Sequence, residues 1–347
     1  MAMDTVRSGR RVTLADVARH AGFSRSTASL VFQDSPMVAA TTKAAVLAAA
    51  KELGYVYDRR AAALRTRKSH TIGLLIPGLA NPFFAALVQA VEEELGPSGF
   101  TVLLANTLER PERQKAVVET LLEYRVDGLL IVPAIGSGRE VLDAIERFAV
   151  PHVLLTRRVV GAGGDWVGSD DRRGATLAAE HLVNHGCRSL AYFGGPTETY
   201  ARATRYGGFV DAARAAGLRF VEEWSRGTET TSSAGYEAVR TLLQSGPPPE
   251  GVACHSDAIA FGAMRALRDA GLTVGSDVRV LGYDDLEHAR SWSPSLSSVS
   301  VSSEEMGRTA ARLLLERIDH PRTSASGRTV VFTPTLQARE SCGSHDT

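Results

Sequence analysis

The chain has 347 residues, 44% of them hydrophobic and 22% charged, with 39 basic side chains balancing 39 acidic ones. That length allows more than one domain with a well-buried core, and the composition is that of a soluble globular protein. Its three cysteines, Cys187, Cys254 and Cys342, are odd in number and far apart, which argues against a disulfide framework and for a reducing cytoplasm. The opening stretch MAMDTVRSGRRVTLADVARHAG has no apolar run ahead of its charges, so no secretory signal is expected. The zero net charge conceals an asymmetry: residues 1 to 70 hold 12 Lys and Arg against 5 Asp and Glu, whereas the other 277 hold 27 against 34. A basic head on an acidic body is the charge footprint of a protein that takes a polyanion at one end.

Thr13 followed by Asp16 is a capping-box-like start, and Leu14, Val17, Ala18 and Ala21 then recur at helical spacing. Gly22 breaks that helix and Ser24 caps the next. In the second helix Phe23, Ala28, Val31 and Phe32 are expected to point inward, leaving Arg25, Ser26, Ser29 and Leu30 on the opposite side. Two short helices joined through a glycine-containing turn form a helix-turn-helix, whose second helix lies in the major groove of DNA. The polar side of that helix is then a reading surface. A third helix over roughly 41 to 53 would roof the pair with Val46, Ala49, Ala50 and Leu53 before Gly54 ends it. The segment YVYDRRAAALRTRKSH (55 to 70) offers Asp58 as a cap, three alanines and Leu64 as helix formers, and five basic residues. So short a helix does not persist alone in water; it is expected to form only against a partner, and its charge names phosphate backbone.

From residue 71 short apolar runs alternate with amphipathic stretches. TIGLLIPGLANPFFAALVQAV (71 to 91) is broken by Pro77 and by Asn81-Pro82, so it reads as a buried strand, a turn and a helix start rather than a membrane span. The runs TIGLLIP, TVLLAN, DGLLIVP, HVLLT, LAYFGG, GVACH, VRVLGYDD and TVVFTP read as strands with helices between most of them. This is βαβ punctuation, and so many strands fit two doubly wound parallel lobes with a ligand cleft between them. No enzyme motif emerges: GSG at 136 to 138 and GAGG at 161 to 164 lack the context of a phosphate loop or dinucleotide turn. His181, His185 and Cys187 approach metal-ligand spacing without completing it. Asp170-Asp171 and Asp284-Asp285 suit helix capping or ligand hydrogen bonding better than acid–base catalysis, because adjacent side chains on a strand point opposite ways. No catalytic residue, metal or cofactor is expected.

VTLADVARHAGFSRSTASLVF, the stretch from VLAAAKELGYVYDRR to TIGLLIP, and NPFFAALVQAVEEEL resemble the lactose-repressor (LacI/GalR) family of bacterial transcription regulators. The resemblance continues in order through RYGGF (205 to 209), SDAIAFGAMRAL (256 to 267), VLGYDD (280 to 285), SPSLSSVSV (293 to 301) and LQARES (336 to 341). It implies a helix-turn-helix head over 1–57, a hinge helix and linker over 58–70, and a periplasmic-binding-protein-like body over 71–340. Lobe 1 is expected over about 71–160 and 298–325, and lobe 2 over about 161–290 and 326–340. It further implies a homodimer on double-stranded operator DNA. Arg25 and Ser26 would read bases, Thr13, Ser24, Thr27 and Ser29 would serve phosphate contacts and capping, and Leu64 would wedge into the minor groove beside Tyr55, Asp58, Arg59 and Ala61. Where the family commonly has Arg, this chain has Leu30, which can pack on a thymine methyl but cannot fork onto guanine.

For the cleft, the resemblance carries effector contacts onto Asn81, Phe83 and Phe84 in the first lobe and Arg205, Ser256 and Asp284 in the second. Thr156-Arg157 stands where sugar-responsive members often have Asp-Arg. Such residues suit a polyhydroxylated ligand, a sugar or sugar derivative. At least one of Phe83 and Phe84 is expected to serve only the core. The tail after Glu340 is read as polar, without the heptads of a tetramerising coiled coil. The expected function is a cytoplasmic ligand-controlled repressor of a carbohydrate-related operon, and not an enzyme. A solute-binding protein would share the cleft but have no use for residues 1 to 70; a sugar- or nucleotide-processing enzyme should show a nucleophile, metal cluster or phosphate loop.

Overall fold

Thr13 opens helix α1 (Leu14–Ala21) with a reciprocal capping box: its hydroxyl accepts the Asp16 N–H at 3.3 Å and its own N–H donates to Asp16 Oδ2 at 3.0 Å. Gly22, at φ 74°, turns the chain, and Ser24 Oγ accepts the Thr27 N–H at 3.0 Å to start α2 (Arg25–Phe32). Helix α3 (Ala40–Glu52) supplies Val46, Ala49 and Ala50 to a small core with Val17, Ala18, Ala28 and Val31. Phe32 closes its edge by stacking on Tyr57 at 4.9 Å and meeting Tyr55 edge-on at 5.4 Å. Phe23 does not point inward as expected; it is exposed, because it lies in the turn ahead of the Ser24 cap, where helical periodicity does not apply. The computed structural model describes residues 12–57, 68–159, 161–320 and 327–343. The chain divides between Ser69 and His70 into this head and a larger body; Asp58, Arg59, Ala61 and Leu64 lie outside the described residues.

The body's strands form two six-stranded sheets. The first has the order β11-β5-β4-β3-β1-β2, all parallel: β1 (Thr71–Ile76), β2 (Thr101–Asn106), β3 (Gly128–Ile131), β4 (His152–Leu155), β5 (Asp165–Ser169) and β11 (Thr329–Phe332). Both of its faces are covered. Leu74 packs into the cluster that holds α4 (Pro82–Leu95) and α12 (Ser303–Asp319), whereas Leu75 packs among α5 (Pro111–Glu123) and α6 (Glu140–Arg147). The second sheet has the order β12-β10-β9-β8-β6-β7, built from β6 (Ser189–Phe193), β7 (Arg219–Phe220), β8 (Gly251–Cys254), β9 (Arg279–Asp284), β10 (Ser297–Ser300) and β12 (Thr335–Gln337). Among the described residues its β10–β12 pair alone is antiparallel. Helices α7 (Asp171–Asn184) and α8 (Tyr200–Ala215) pack on one another, as do α9 (Ser232–Leu243) and α10 (Asp257–Asp269), with the short α11 (Glu287–Ser291) following β9. The α9–α10 approach depends on glycine: a Cβ at Gly262 would overlap the Ser232 carbonyl oxygen, and one at Gly235 would crowd that of Ile259.

The lobe boundaries differ from those expected. β5, assigned to lobe 2 by the expected break near 160, pairs with β4 in lobe 1. β10, assigned to lobe 1 by the expected return at 298, pairs with β9 in lobe 2. The 326–340 segment is shared, with β11 joining lobe 1 through β5 and only β12 joining lobe 2. The reason is that apolar patterning marks a strand but not which sheet it enters. The tail is also not wholly solvated: Ser341 and Cys342 are fully buried, and Ser341 Oγ donates to the Val280 carbonyl at 2.6 Å.

The return of lobe 1 is tied by a buried ion pair. Asp165 takes Nε and Nη2 of Arg317 at 2.6 Å each and the Arg328 N–H at 2.7 Å. Burial alone would raise its pKa, but these donors hold it below the ordinary carboxylate value. A carboxyl depressed in the folded state contributes stability above its unfolded pKa and loses it as pH falls through the folded value. Asp165→Asn is therefore expected to lower unfolding free energy by about 3 kcal/mol at neutral pH, and to flatten the wild-type loss of stability in urea titrations between about pH 5 and 2.

Candidate functional site

Four helices start where strand ends of the two lobes face each other, and each start is closed by a side chain. Asn81 Oδ1 accepts the Phe83 N–H of α4 at 3.0 Å, Asp170 that of Arg173 in α7 at 3.0 Å, Thr199 that of Arg202 in α8 at 3.1 Å, and Ser256 that of Ile259 in α10 at 3.3 Å. Between them lies a cavity of about 480 Å³, a usual size for a small-molecule site at the carboxyl ends of strands. Asn81, Phe83, Phe84 and Thr156 from lobe 1 and Arg205, Ser256 and Asp284 from lobe 2 all lie on its wall. Phe83 and Phe84, edge to face at 5.2 Å, belong to the core cluster and to the cavity wall at once, so neither serves the core alone.

Arg205 is locked in place. Its Nε donates to Asp171 Oδ1 at 3.0 Å, its Nη1 donates to the His255 carbonyl at 2.8 Å, and its guanidinium lies 3.6 Å from the Tyr283 ring centre. Tyr283 O–H donates to the same Asp171 oxygen at 3.1 Å. Asp284 terminates β9 at φ 109°, a strained backbone for an aspartate, which aims its buried carboxyl at the cavity. Burial pushes that carboxyl well above its usual pKa despite Arg205. Beneath it, Asp257 accepts Ser298 Oγ–H at 2.6 Å and Leu286 N–H at 2.7 Å; burial lifts it to about 7 against those donors. His255, hydrogen-bonded through Nδ1 to Tyr192 O–H at 2.8 Å, is held neutral by burial and then by Arg205, Arg202 and Arg157.

Sequence reasoning missed the partners of these groups. Glu109 and Arg157 form a bidentate pair at 2.8 Å on both arms, with Arg157 also donating to the Pro133 carbonyl at 2.9 Å. Asp171, His255, Ser169 and Glu229 also line the cavity, and the Ser169 hydroxyl is buried without a hydrogen-bond partner among the described residues. The carboxylate pairs in the sequence were a signal for Asp171; the loop holding Glu109 carried none. The arrangement can orient a ligand with many hydroxyls through fixed donors and acceptors around an aromatic wall. Among the described residues no group of His, Cys, Asp and Glu is placed to hold a metal ion; the His181 and His185 rings meet edge to face with centres 4.5 Å apart. No helix among them is long and apolar enough to cross a membrane.

On the head, Arg25 and Ser26 are exposed at the start of α2, Thr27, Ser29 and Leu30 are half-buried, and Thr13 and Ser24 are exposed at the two caps. Ser24 Oγ also meets Ser26 Oγ at 2.7 Å and Thr27 Oγ1 at 2.9 Å. Gln33, not singled out from the sequence, donates to the Ser29 hydroxyl at 2.8 Å and carbonyl at 2.7 Å, extending this polar ridge by one turn. Tyr55 lies against Phe32 at the head's edge.

Residues 13–58 match the family of bacterial regulatory proteins, lacI family, and residues 179–342 match a periplasmic binding protein-like domain. The HTH-type transcriptional repressor PurR of Actinobacillus pleuropneumoniae serotype 3 is 32% identical over 329 residues, covering 95% of this chain and 98% of that protein. The lac repressor dimer bound to operator and the anti-inducer ONPF superposes with a TM-score of 0.84 at 27% identity, covering 96% of this chain and 100% of that one. The transcriptional regulator CelR in complex with cellobiose gives 0.71 at 32% identity, covering 95% and 100%. The chain belongs to the lacI family and is a helix-turn-helix transcriptional repressor with an effector-binding domain.

Proposed function

We propose that this protein is a cytoplasmic repressor that binds a pseudo-palindromic operator as a homodimer and changes its DNA affinity when a saccharide enters the cleft, without catalysing any reaction. The observation that carries the reading is the convergence of Arg205, Asp284, Ser256, Asn81 and the Phe83–Phe84 pair on one cavity. The cellobiose complex of CelR supports a saccharide as the class of effector. In the head, Arg25 and Ser26 read base edges, Thr27 and Ser29 hold phosphates, and Leu30 packs on a thymine methyl. The segment with Tyr55, Asp58, Arg59, Ala61 and Leu64 serves the minor groove. Two exposed apolar surfaces favour dimerisation of the body: Leu103 and Leu104 on edge strand β2, and Trp292 packed on Phe261 at 4.6 Å. The lac repressor relative is itself a dimer on its operator.

Ligand control follows as a population shift: a ligand that touches both lobes favours one lobe angle, and the operator favours one as well, so each changes the affinity for the other by the same factor. Fluorescence anisotropy of labelled operator duplex checks this. Saturating cellobiose or another saccharide that binds the protein is expected to change operator affinity about fivefold or more; a bound saccharide that leaves affinity unchanged sinks the coupling.

A further inference from the structure

The charges around the cavity are already spoken for. Four carboxyl groups (Glu109, Asp171, Glu229 and the buried Asp284) share the described wall with two guanidinium groups, Arg157 and Arg205, and no lysine lines it. Arg157 spends both arms on Glu109, and Arg205 is divided between Asp171, the His255 carbonyl and the Tyr283 ring. His255 adds no charge. A helix N-terminus is the other common seat for a phosphate, but the four that open here are capped by Asn81, Asp170, Thr199 and Ser256. Each guanidinium on the described wall is already matched by a carboxylate, so an incoming phosphate dianion would find no unpaired cation among the described residues, and at each of the four helix starts one N–H is already taken, leaving little to offset its desolvation in a partly buried site. What the wall does offer is Asp284, whose carboxyl has no hydrogen-bond partner among the described residues, the buried unpartnered Ser169 hydroxyl, and the Phe83–Phe84 wall. These suit hydroxyl groups and an apolar ring face.

We infer, on the reading that this cavity holds the effector, that the effector is an uncharged saccharide and that the cleft rejects its phosphorylated form. The free sugar, as it arises by hydrolysis of a glycoside or by uptake without phosphorylation, is then the signal, and a kinase acting on it would end that signal.

The test is calorimetry and thermal shift on the full-length protein with D-ribose, D-glucose and cellobiose, each beside its terminal monophosphate. The expected result is binding of at least one neutral sugar with at least tenfold weaker binding of its phosphate, abolished by Asp284→Asn. Glu109→Gln, which releases Arg157 from its carboxylate, is expected to narrow the gap by improving the phosphorylated form. Tighter binding of a phosphorylated member, lost in Arg205→Ala, would overturn the charge inference while leaving the cleft as the site. Binding of a neutral sugar that survives both Asp284→Asn and Arg205→Ala, or silence of both sets, would instead overturn the reading of this cavity as a saccharide site.

Discussion

Arg205→Ala is expected to leave operator binding intact and to abolish the effector response, with ligand affinity falling at least a hundredfold, about 3 kcal/mol. Arg205 is the cleft residue with the most fixed partners: Asp171, the His255 carbonyl and the Tyr283 ring all hold it, and its side chain is only 12% exposed. Its removal takes donors from the ligand and also leaves Asp171 facing Asp284 without the intervening cation, so the two carboxyls repel. Arg205→Lys separates charge from geometry. Lysine keeps the positive charge but cannot span Asp171 and the carbonyl while lying flat on Tyr283, so it is expected to recover fold stability in thermal denaturation and little of the ligand affinity. A lysine variant that binds as tightly as wild type would show that charge alone suffices.

Arg25→Ala is expected to weaken specific operator binding by about 1–3 kcal/mol per half-site while changing nonspecific binding far less. Arg25 stands exposed at the first position of α2, with no ion pair among the described residues to give up. Leu30 lies one turn and a half further along the same helix, half-buried and without a charged group. Leu30→Arg is expected to bring a guanine preference at one symmetric position of the half-site, where the wild type favours an A·T pair through the thymine methyl. Competition binding with duplexes changed at single positions reads both effects. A uniform loss over all sequences would assign Arg25 to phosphate instead of base contact.

Much of this was legible in the chain. The capping box at Thr13–Asp16, Gly22 and the Ser24 cap each act within four residues, so local sequence was enough to locate the first two helices of the head. The buried central strands announced themselves as apolar runs. β10 did not, because SSVS buries Ser297 and Ser298 by satisfying their hydroxyls with the Arg339 carbonyl and Asp257, partners 42 and 41 residues away. β5 (DWVGS) is anchored by Asp165, whose partner Arg317 is 152 residues on. The cleft showed the same division. Arg205 and Asp284 sit in motifs that the family resemblance singles out, but Glu109 on the cavity wall is paired with Arg157, 48 residues later, and no periodicity links them.

Selection of bound duplexes from a random DNA library by the full-length protein, at moderate and raised salt, tests sequence reading by the head most directly. The expected result is a palindromic consensus with a deformable central step, an A·T preference at the position faced by Leu30, and affinity that falls steeply with salt. Salt-sensitive binding with no consensus would contradict it, leaving the basic head as an electrostatic tether and not a reader of sequence.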